Sequence, residues 1–209
     1  MKLLHKLFIA SAFLALVACE TDFDNNVTDE GFYSSGDADL SAFVAVGNSL
    51  TAGYADAALY KTGQENSFPN ILASRFAFVG GGEFKQPMMA DNYGGLLLGG
   101  NKIAEPRMVL SFDADGNAAP TVLDKTPTTE VSDHLSGTFN NLGVPGAKSF
   151  HLAAPGYGNV AGVATGQANP YFARFASSEN ATVIQDAVAV DATFFSLWIG
   201  NNDILSYAT

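Results

Sequence analysis

Short apolar runs alternate with helical and glycine-rich stretches along this chain. Residues 43–46 are an apolar run that predicts a short buried strand, and residues 194–199 form an apolar run that is typical of the centre of a parallel sheet. Residues 139–144 form a second candidate core strand. Helices are predicted over three stretches, 67–78, 170–176 and 182–190. Because strands and helices alternate, the pattern predicts a three-layer α/β fold with right-handed crossovers.

Polar residues and prolines indicate where the first helix starts and where a further helical stretch ends. Asn66 or Ser67 can cap the helix over 67–78, and Pro69 falls in its first turn, where proline is accepted. A further helix is predicted to start near Ala147, and Pro155 lies where that stretch breaks.

The segment over 83–137 departs from this alternation and is rich in glycine and proline. We interpret it as an insertion that shapes the rim of a substrate site. Residues 107–112 and 121–123 flank the turn-forming sequence 113–117, which predicts a hairpin. The aspartates of that turn also allow a calcium loop. However, Gly116 stands at the fourth position rather than the sixth, and no glutamate closes the loop, which favours the hairpin without a metal.

The strand over 43–46 is followed at once by candidate chemistry. It stops at Gly47, and Ser49 stands where the chain turns. Open α/β sheets bind their ligands at the carboxyl ends of parallel strands. Two later segments, 141–149 and 200–203, also adjoin apolar runs and contain glycine and asparagine. From its own segment Ser49 can be either a site residue or an incidental serine in a strand-to-loop turn, and the two later segments favour a site residue.

These three segments resemble, in this order, the blocks of the SGNH (or GDSL) family of serine esterases and acylhydrolases. Residues 47–50 match the Gly-Asp-Ser-Leu block, with Asn48 in place of the usual aspartate. Gly146 matches the glycine of the second block, and residues 200–203 match Gly-x-Asn-Asp. The residues of these blocks most resemble those of large SGNH lipoproteins of the Bacteroidota type.

The resemblance implies a flavodoxin-like fold of about five parallel strands, of which this chain would supply roughly three. It implies that Ser49 is the nucleophile and that the oxyanion hole is formed by the N–H groups of Ser49 and Gly146 and the amide of Asn202. Asn202 could instead form an Asx-type turn. Asp203 is expected to orient its loop, and Asn48 to support the site with its acceptor oxygen. The family needs no cofactor, and we expect neither a cofactor nor a metal.

The family's catalytic histidine lies in a late Asp-x-x-His block that this chain lacks. The three histidines are His5, His134 and His151. His5 falls in the leader and His134 directly follows Asp133. His151 is interpreted first as a helix-face residue at the rim, and second as a functional histidine. We therefore expect the catalytic histidine and aspartate beyond residue 209 and the 209-residue fragment to be inactive. We also expect it to be unstable or aggregation-prone, because its sheet would lack strands.

The first residues have the organisation of a secretory leader. Two lysines precede an apolar stretch that ends in Leu-Val-Ala before Cys19, which resembles the lipobox of bacterial lipoproteins. We expect residues 1–18 to be a signal peptide, Cys19 to carry the lipid anchor, and residues 19–38 to be an acidic tether. Residues 39–209 would then be the N-terminal part of the hydrolase domain. The expected location is the bacterial outer membrane, on its periplasmic or its surface face.

The net charge of the chain limits the classes of binding partner that we expect. The net charge is −11, and loss of residues 1–18 removes two lysines and no acidic residue. Such a surface repels nucleic acid, so no nucleic-acid partner is expected. The sequence leads to a cell-envelope esterase that acts on lipid esters or acetylated glycans. The alternative is a non-catalytic surface lipoprotein that binds glycans or lipids. The sequence does not indicate an oligomeric state.

Overall fold

A computed structural model describes residues 31–208. The leader and Cys19 lie outside the described residues, and the unit Ser35–Thr209 contains all of the elements below. Its centre is a parallel sheet of three strands, β1 (Phe43–Gly47), β6 (Asn141–Gly143) and β7 (Phe194–Trp198). The strand order is β6-β1-β7, and Val46 of β1 pairs with Leu142 and Leu197. The α/β class and the three predicted core strands are confirmed.

Four further strands form two antiparallel hairpins in the segment that we interpreted as an insertion. These are β2 (Leu96–Leu98), β3 (Asn101–Ala104), β4 (Met108–Phe112) and β5 (Ala118–Val122). The hairpin of β4 and β5 is confirmed. Asp113 accepts the backbone N–H groups of Asp115 and Asn117, which fixes the turn between the strands.

Six α-helices complete the description of residues 31–208: α1 (Ser49–Ala52), α2 (Lys61–Glu65), α3 (Phe68–Phe76), α4 (Pro170–Ala173), α5 (Val183–Val188) and α6 (Asn201–Ala208). Helix α3 confirms the first predicted helix, and the Ser67 side chain caps it by accepting from Asn70 N at 3.4 Å. Helices α4 and α5 confirm the other two, although both are shorter than predicted. Three 3-10 helices cover Ala77–Val79, Ser149–Ala153 and Val160–Thr165.

Alternate residues of β1 face two different layers of the core. Val44 and Val46 pack with residues of α4 and α5, among them Phe172 and Val183. Phe43 and Ala45 pack on the opposite face with Ala73 of α3. Both faces of β1 are thus covered, which explains why the strand is apolar at every position.

Two predictions need correction. The helix predicted near Ala147 is a 3-10 helix over Ser149–Ala153. Pro155 restricts the residue before it to extended backbone, and Ala154 has ψ 114°, so the helix ends after little more than one turn. Strand β7 does not lie at the centre of the sheet. Within residues 31–208 it pairs only with β1, and four of its five residues are exposed.

No helix within residues 31–208 is long and apolar enough to cross a membrane.

Candidate active site

Ser49 lies directly beyond the central strand, where the chain leaves β1 and enters α1. The residue before it, Asn48, caps α1: its side-chain oxygen accepts the N–H of Leu50 at 3.1 Å. The N–H of Asn48 donates to the carbonyl oxygen of Trp198 at 3.1 Å, which ties the turn to the end of β7. Asn48 is 1% exposed, whereas Ser49 is half-buried. Within residues 31–208 the Ser49 hydroxyl has no hydrogen-bond partner, so it is available to a group outside the described residues.

Two glycines let α1 lie close to the ends of β1 and β6. A Cβ on Gly47 would stand 2.2 Å from the Thr51 hydroxyl oxygen and 2.4 Å from the carbonyl oxygen of Trp198. A Cβ on Gly143 would stand 2.2 Å from the backbone nitrogen of Ala52. Any side chain at either position would push the turn that carries Ser49 away from the sheet.

A buried amide on β6 also holds the turn that carries Ser49. Asn141 is 2% exposed, and its Nδ2 donates to the carbonyl oxygen of Thr51 at 3.0 Å and to Gln86 Oε1 at 2.9 Å. Its Oδ1 accepts the N–H of Gly143 at 3.0 Å. Buried amides are kept where their hydrogen bonds are satisfied. In the sequence, Asn141 marks only the start of the second block. The signal that could have indicated its supporting role is a polar residue inside a buried strand.

The loop after β6 brings Gly146 to the surface. Its φ is +81°, which favours glycine, and a Cβ there would meet nothing within 4 Å. The backbone N–H groups of Gly146 and Ser49 find no acceptor within residues 31–208. Both groups are therefore available to an external oxygen, as an oxyanion hole requires.

The loop after β7 is tied to the other two loops by three side chains. Asn201 Oδ1 accepts Asn48 Nδ2 at 3.3 Å. Asn202 Nδ2 donates to the carbonyl oxygen of Ala147 at 2.8 Å, which uses one of the two donors of its amide nitrogen. Asp203 accepts the N–H of Ser149 at 2.9 Å and its hydroxyl at 2.6 Å. The three sequence blocks thus meet at the carboxyl ends of the parallel strands, and Asn202 lies in the first turn of α6 rather than in an isolated turn.

The Asp203 carboxylate is held in its charged form. The hydrogen bonds from the side chain and backbone of Ser149 lower its pKa below the usual range, and Lys148 adds to the effect. A carboxylate fixed in this way orients the loop that carries Gly146. No contact places it against Ser49.

The two described histidines are engaged elsewhere. His151 Nδ1 accepts the N–H of Lys148 at 3.0 Å, and the ring stacks on Tyr157 at 4.5 Å. Desolvation lowers the pKa of His151, and the nearby Lys148 lowers it further. His134 Nε2 lies 2.9 Å from the carbonyl oxygen of Ala176. Neither ring is hydrogen-bonded to Ser49, so this part of the chain does not supply a general base to that hydroxyl.

Residues 31–208 contain no group of three His, Cys, Asp or Glu side chains that could hold a metal ion. The donors at the site are backbone N–H groups and neutral amides, which suit an oxyanion better than a cation.

No protein-family model, no curated protein and no solved structure matches this chain.

Proposed function

We propose that this chain carries the nucleophile and oxyanion hole of a serine esterase that hydrolyses carboxylic esters. One observation carries the proposal. The three loops that follow β1, β6 and β7 converge, and they bring together a free hydroxyl on Ser49, a free N–H on Gly146 and the amide of Asn202. A nucleophile beside donors for a developing negative charge is the arrangement that acyl transfer needs.

The reaction follows from these roles. Ser49 Oγ attacks the ester carbonyl carbon and gives its proton to a general base, which the described residues do not provide. The carbonyl oxygen becomes an oxyanion and accepts hydrogen bonds from Ser49 N, Gly146 N and Asn202 Nδ2. The carbon–oxygen bond to the alcohol breaks, and the alcohol leaves with the proton held by the base. Water then attacks the acyl-serine, releases the carboxylic acid and restores the hydroxyl.

The finer identity belongs to the same proposal. The order of the three blocks supports an SGNH-type, flavodoxin-like hydrolase, and Cys19 after a lipobox-like leader supports a lipid-anchored protein of the bacterial outer membrane. The general base would be a histidine outside the described residues, oriented by an aspartate. No cofactor takes part in this chemistry.

The test is the hydrolysis of 4-nitrophenyl acetate by the full-length gene product and by its Ser49→Ala variant. We expect the variant to lose at least about a thousandfold in kcat while its circular dichroism is unchanged, because nothing else at the site replaces the nucleophile. Ser74→Ala, an exposed serine on α3, is the matched control and should keep full activity.

Unchanged turnover in Ser49→Ala would refute the assignment. A folded wild-type protein that does not hydrolyse the ester at all, yet binds glycans or lipids, would favour the non-catalytic lipoprotein instead.

A further inference from the structure

A cleft of about 480 Å³ opens beside the turn that carries Ser49. It lies between α1, α2 and the end of β7, and its volume is in the range of small-molecule sites. We name it the aromatic cleft after the side chains that dominate it. Its walls include Leu50, Tyr54, Tyr60, Asn66, Phe68 and Trp198.

The walls of the aromatic cleft are bonded to the nucleophile turn itself. The N–H of Tyr54 donates to the carbonyl oxygen of Ser49 at 2.9 Å. The carbonyl oxygen of Trp198 accepts the N–H of Asn48 at 3.1 Å, and Leu50 follows Ser49 directly. A group bound in the cleft is therefore held at a fixed position relative to the Ser49 hydroxyl, as a substrate subsite requires.

The cleft offers ring faces and neutral polar groups. Trp198 is 47% exposed and leans on Phe68 at 5.5 Å between ring centroids. Tyr60 donates its hydroxyl to Asp56 at 2.6 Å, which leaves the oxygen of Tyr60 as an acceptor. Thr62 in the first turn of α2 and Asn66 directly after its last residue add a hydroxyl and an amide. The Thr62 hydroxyl donates to Asn92 Oδ1 and Asn66 Nδ2 donates to the carbonyl oxygen of Thr62, which leaves the hydroxyl oxygen, the amide oxygen and the second amide hydrogen for a ligand.

Charge and polarity narrow the ligand further. No charged side chain lines the cleft among residues 31–208. Beside it, Asp56 accepts the Tyr60 hydroxyl and the Arg107 guanidinium lies 5.2 Å from the centre of the Tyr60 ring, so these two charges are opposite in sign and the cleft itself presents neutral groups. A ligand with hydroxyl groups at its edge and C–H bonds on its face fits both the amide and the rings, because aromatic faces are electron-rich and attract such C–H bonds. A pyranose ring has this chemistry.

A second cavity, of about 510 Å³, suits a different ligand. It lies on the opposite face of the sheet, and its walls are aliphatic apart from Phe195 and Asp191. Leu197 lines this cavity and Trp198 lines the aromatic cleft, since neighbouring residues of a strand point to opposite faces. A hydrocarbon chain would find its best surroundings there, away from the aromatic cleft. The aromatic cleft is therefore the better site for the alcohol part of an ester that is not a lipid.

We propose that the aromatic cleft binds a neutral sugar ring and that the substrate of Ser49 is an acylated neutral glycan. This inference rests on the proposed function for the hydrolytic step, in which the sugar oxygen leaves with the proton that Ser49 gave to the base. Binding of the sugar itself does not depend on that step.

The binding test uses Trp198 as its probe, because it is the only tryptophan of this chain. Xylobiose is titrated into the full-length Ser49→Ala protein while tryptophan emission is recorded, with a Trp198→Phe version to identify the signal from this residue. We expect a saturable change in the Trp198 signal with xylobiose and none with hexanoate. A saturable change with hexanoate, or no change with up to about 50 mM xylobiose, would overturn the inference.

The kinetic test measures the hydrolysis of acetylated xylobiose. Tyr60→Ala should raise KM for this sugar ester about tenfold with little change in kcat, because the Tyr60 ring holds the alcohol part of the ester and takes no part in bond breaking. Phe112→Ala, an exposed aromatic on β4, is the control and should change neither.

The outcomes separate the two proposals. Ser49-dependent hydrolysis of 4-nitrophenyl acetate with no response of Trp198 to xylobiose would leave the esterase and remove the glycan subsite. A response of Trp198 to xylobiose without any Ser49-dependent hydrolysis would leave the subsite and remove the esterase.

Discussion

At the scale of single residues, Asn48 makes two side-chain contacts that an ionised aspartate at this position could not both make. Its oxygen caps α1 by accepting from Leu50, as an aspartate oxygen would. Its nitrogen also donates to Asn201 Oδ1, which an ionised carboxylate cannot do. The Asn48 side chain thus joins the Ser49 turn to the loop that carries Asn202. Because Asn48 is only 1% exposed and its amide is neutral, this contact does not require a buried charge.

Asn48→Ala is expected to lower the free energy of unfolding by about 1–2 kcal/mol, because the helix cap is lost and Asn201 loses its partner. Asn48→Asp should cost less, since a carboxylate keeps the cap and the amide of Asn201 can rotate to donate to it. Urea unfolding of the full-length protein gives both values. An aspartate variant that is as unstable as the alanine variant would show that the donor to Asn201, rather than the cap, is the important contact.

At the scale of elements, sequence predicted the strands and the long helix because each has a strong local signal. The apolar run at β1, and the serine and proline at the start of α3, fix those elements locally. Strand β7 was assigned to the sheet correctly but to its centre wrongly. A continuous apolar run shows that both faces avoid water. It does not show how many neighbours the strand has.

The exposed residues of β7 carry a consequence for solubility. Phe195 is 68% exposed and Leu197 57% exposed, beside an edge that is unpaired within residues 31–208. Apolar edges of this kind promote association between chains. Residues 20–209, made without the leader and Cys19, should therefore self-associate in light scattering. Leu197→Lys should lower the measured mass.

Val122→Lys is the matched control, because Val122 is 45% exposed on the outer hairpin and has no part in the parallel sheet. It should leave the measured mass unchanged. A monomeric wild-type fragment with a cooperative thermal transition would contradict the account of the edge.

Sequence reached less of the site than of the fold. Ser49, Gly146 and Asn202 were predicted because three short blocks resemble, in order, those of one family. Asn141 was not recognised as a support, because its role depends on α1 lying above β6, and that approach depends on Gly47 and Gly143. Contacts between distant segments leave no periodic signal, so neither these contacts nor the aromatic cleft could be predicted from local pattern.

At the scale of the whole molecule, the negative net charge and the neutral lining of the aromatic cleft are consistent with an uncharged ligand. The net charge of −11 disfavours nucleic acid as a partner, and the aromatic cleft presents rings and neutral groups. The loops that follow the parallel strands β1, β6 and β7 lie together at the carboxyl ends of those strands, where Ser49 is found. The whole account therefore depends on the reactivity of one hydroxyl.

Covalent labelling of Ser49 tests that claim most directly. The full-length protein is treated with an alkyl fluorophosphonate, which reacts with activated serines, and the modified residue is located by peptide mass spectrometry. The account predicts a single adduct on Ser49 that is absent from Ser49→Ala and is blocked by prior denaturation. A folded, unlabelled protein, or an adduct on another serine, would contradict it.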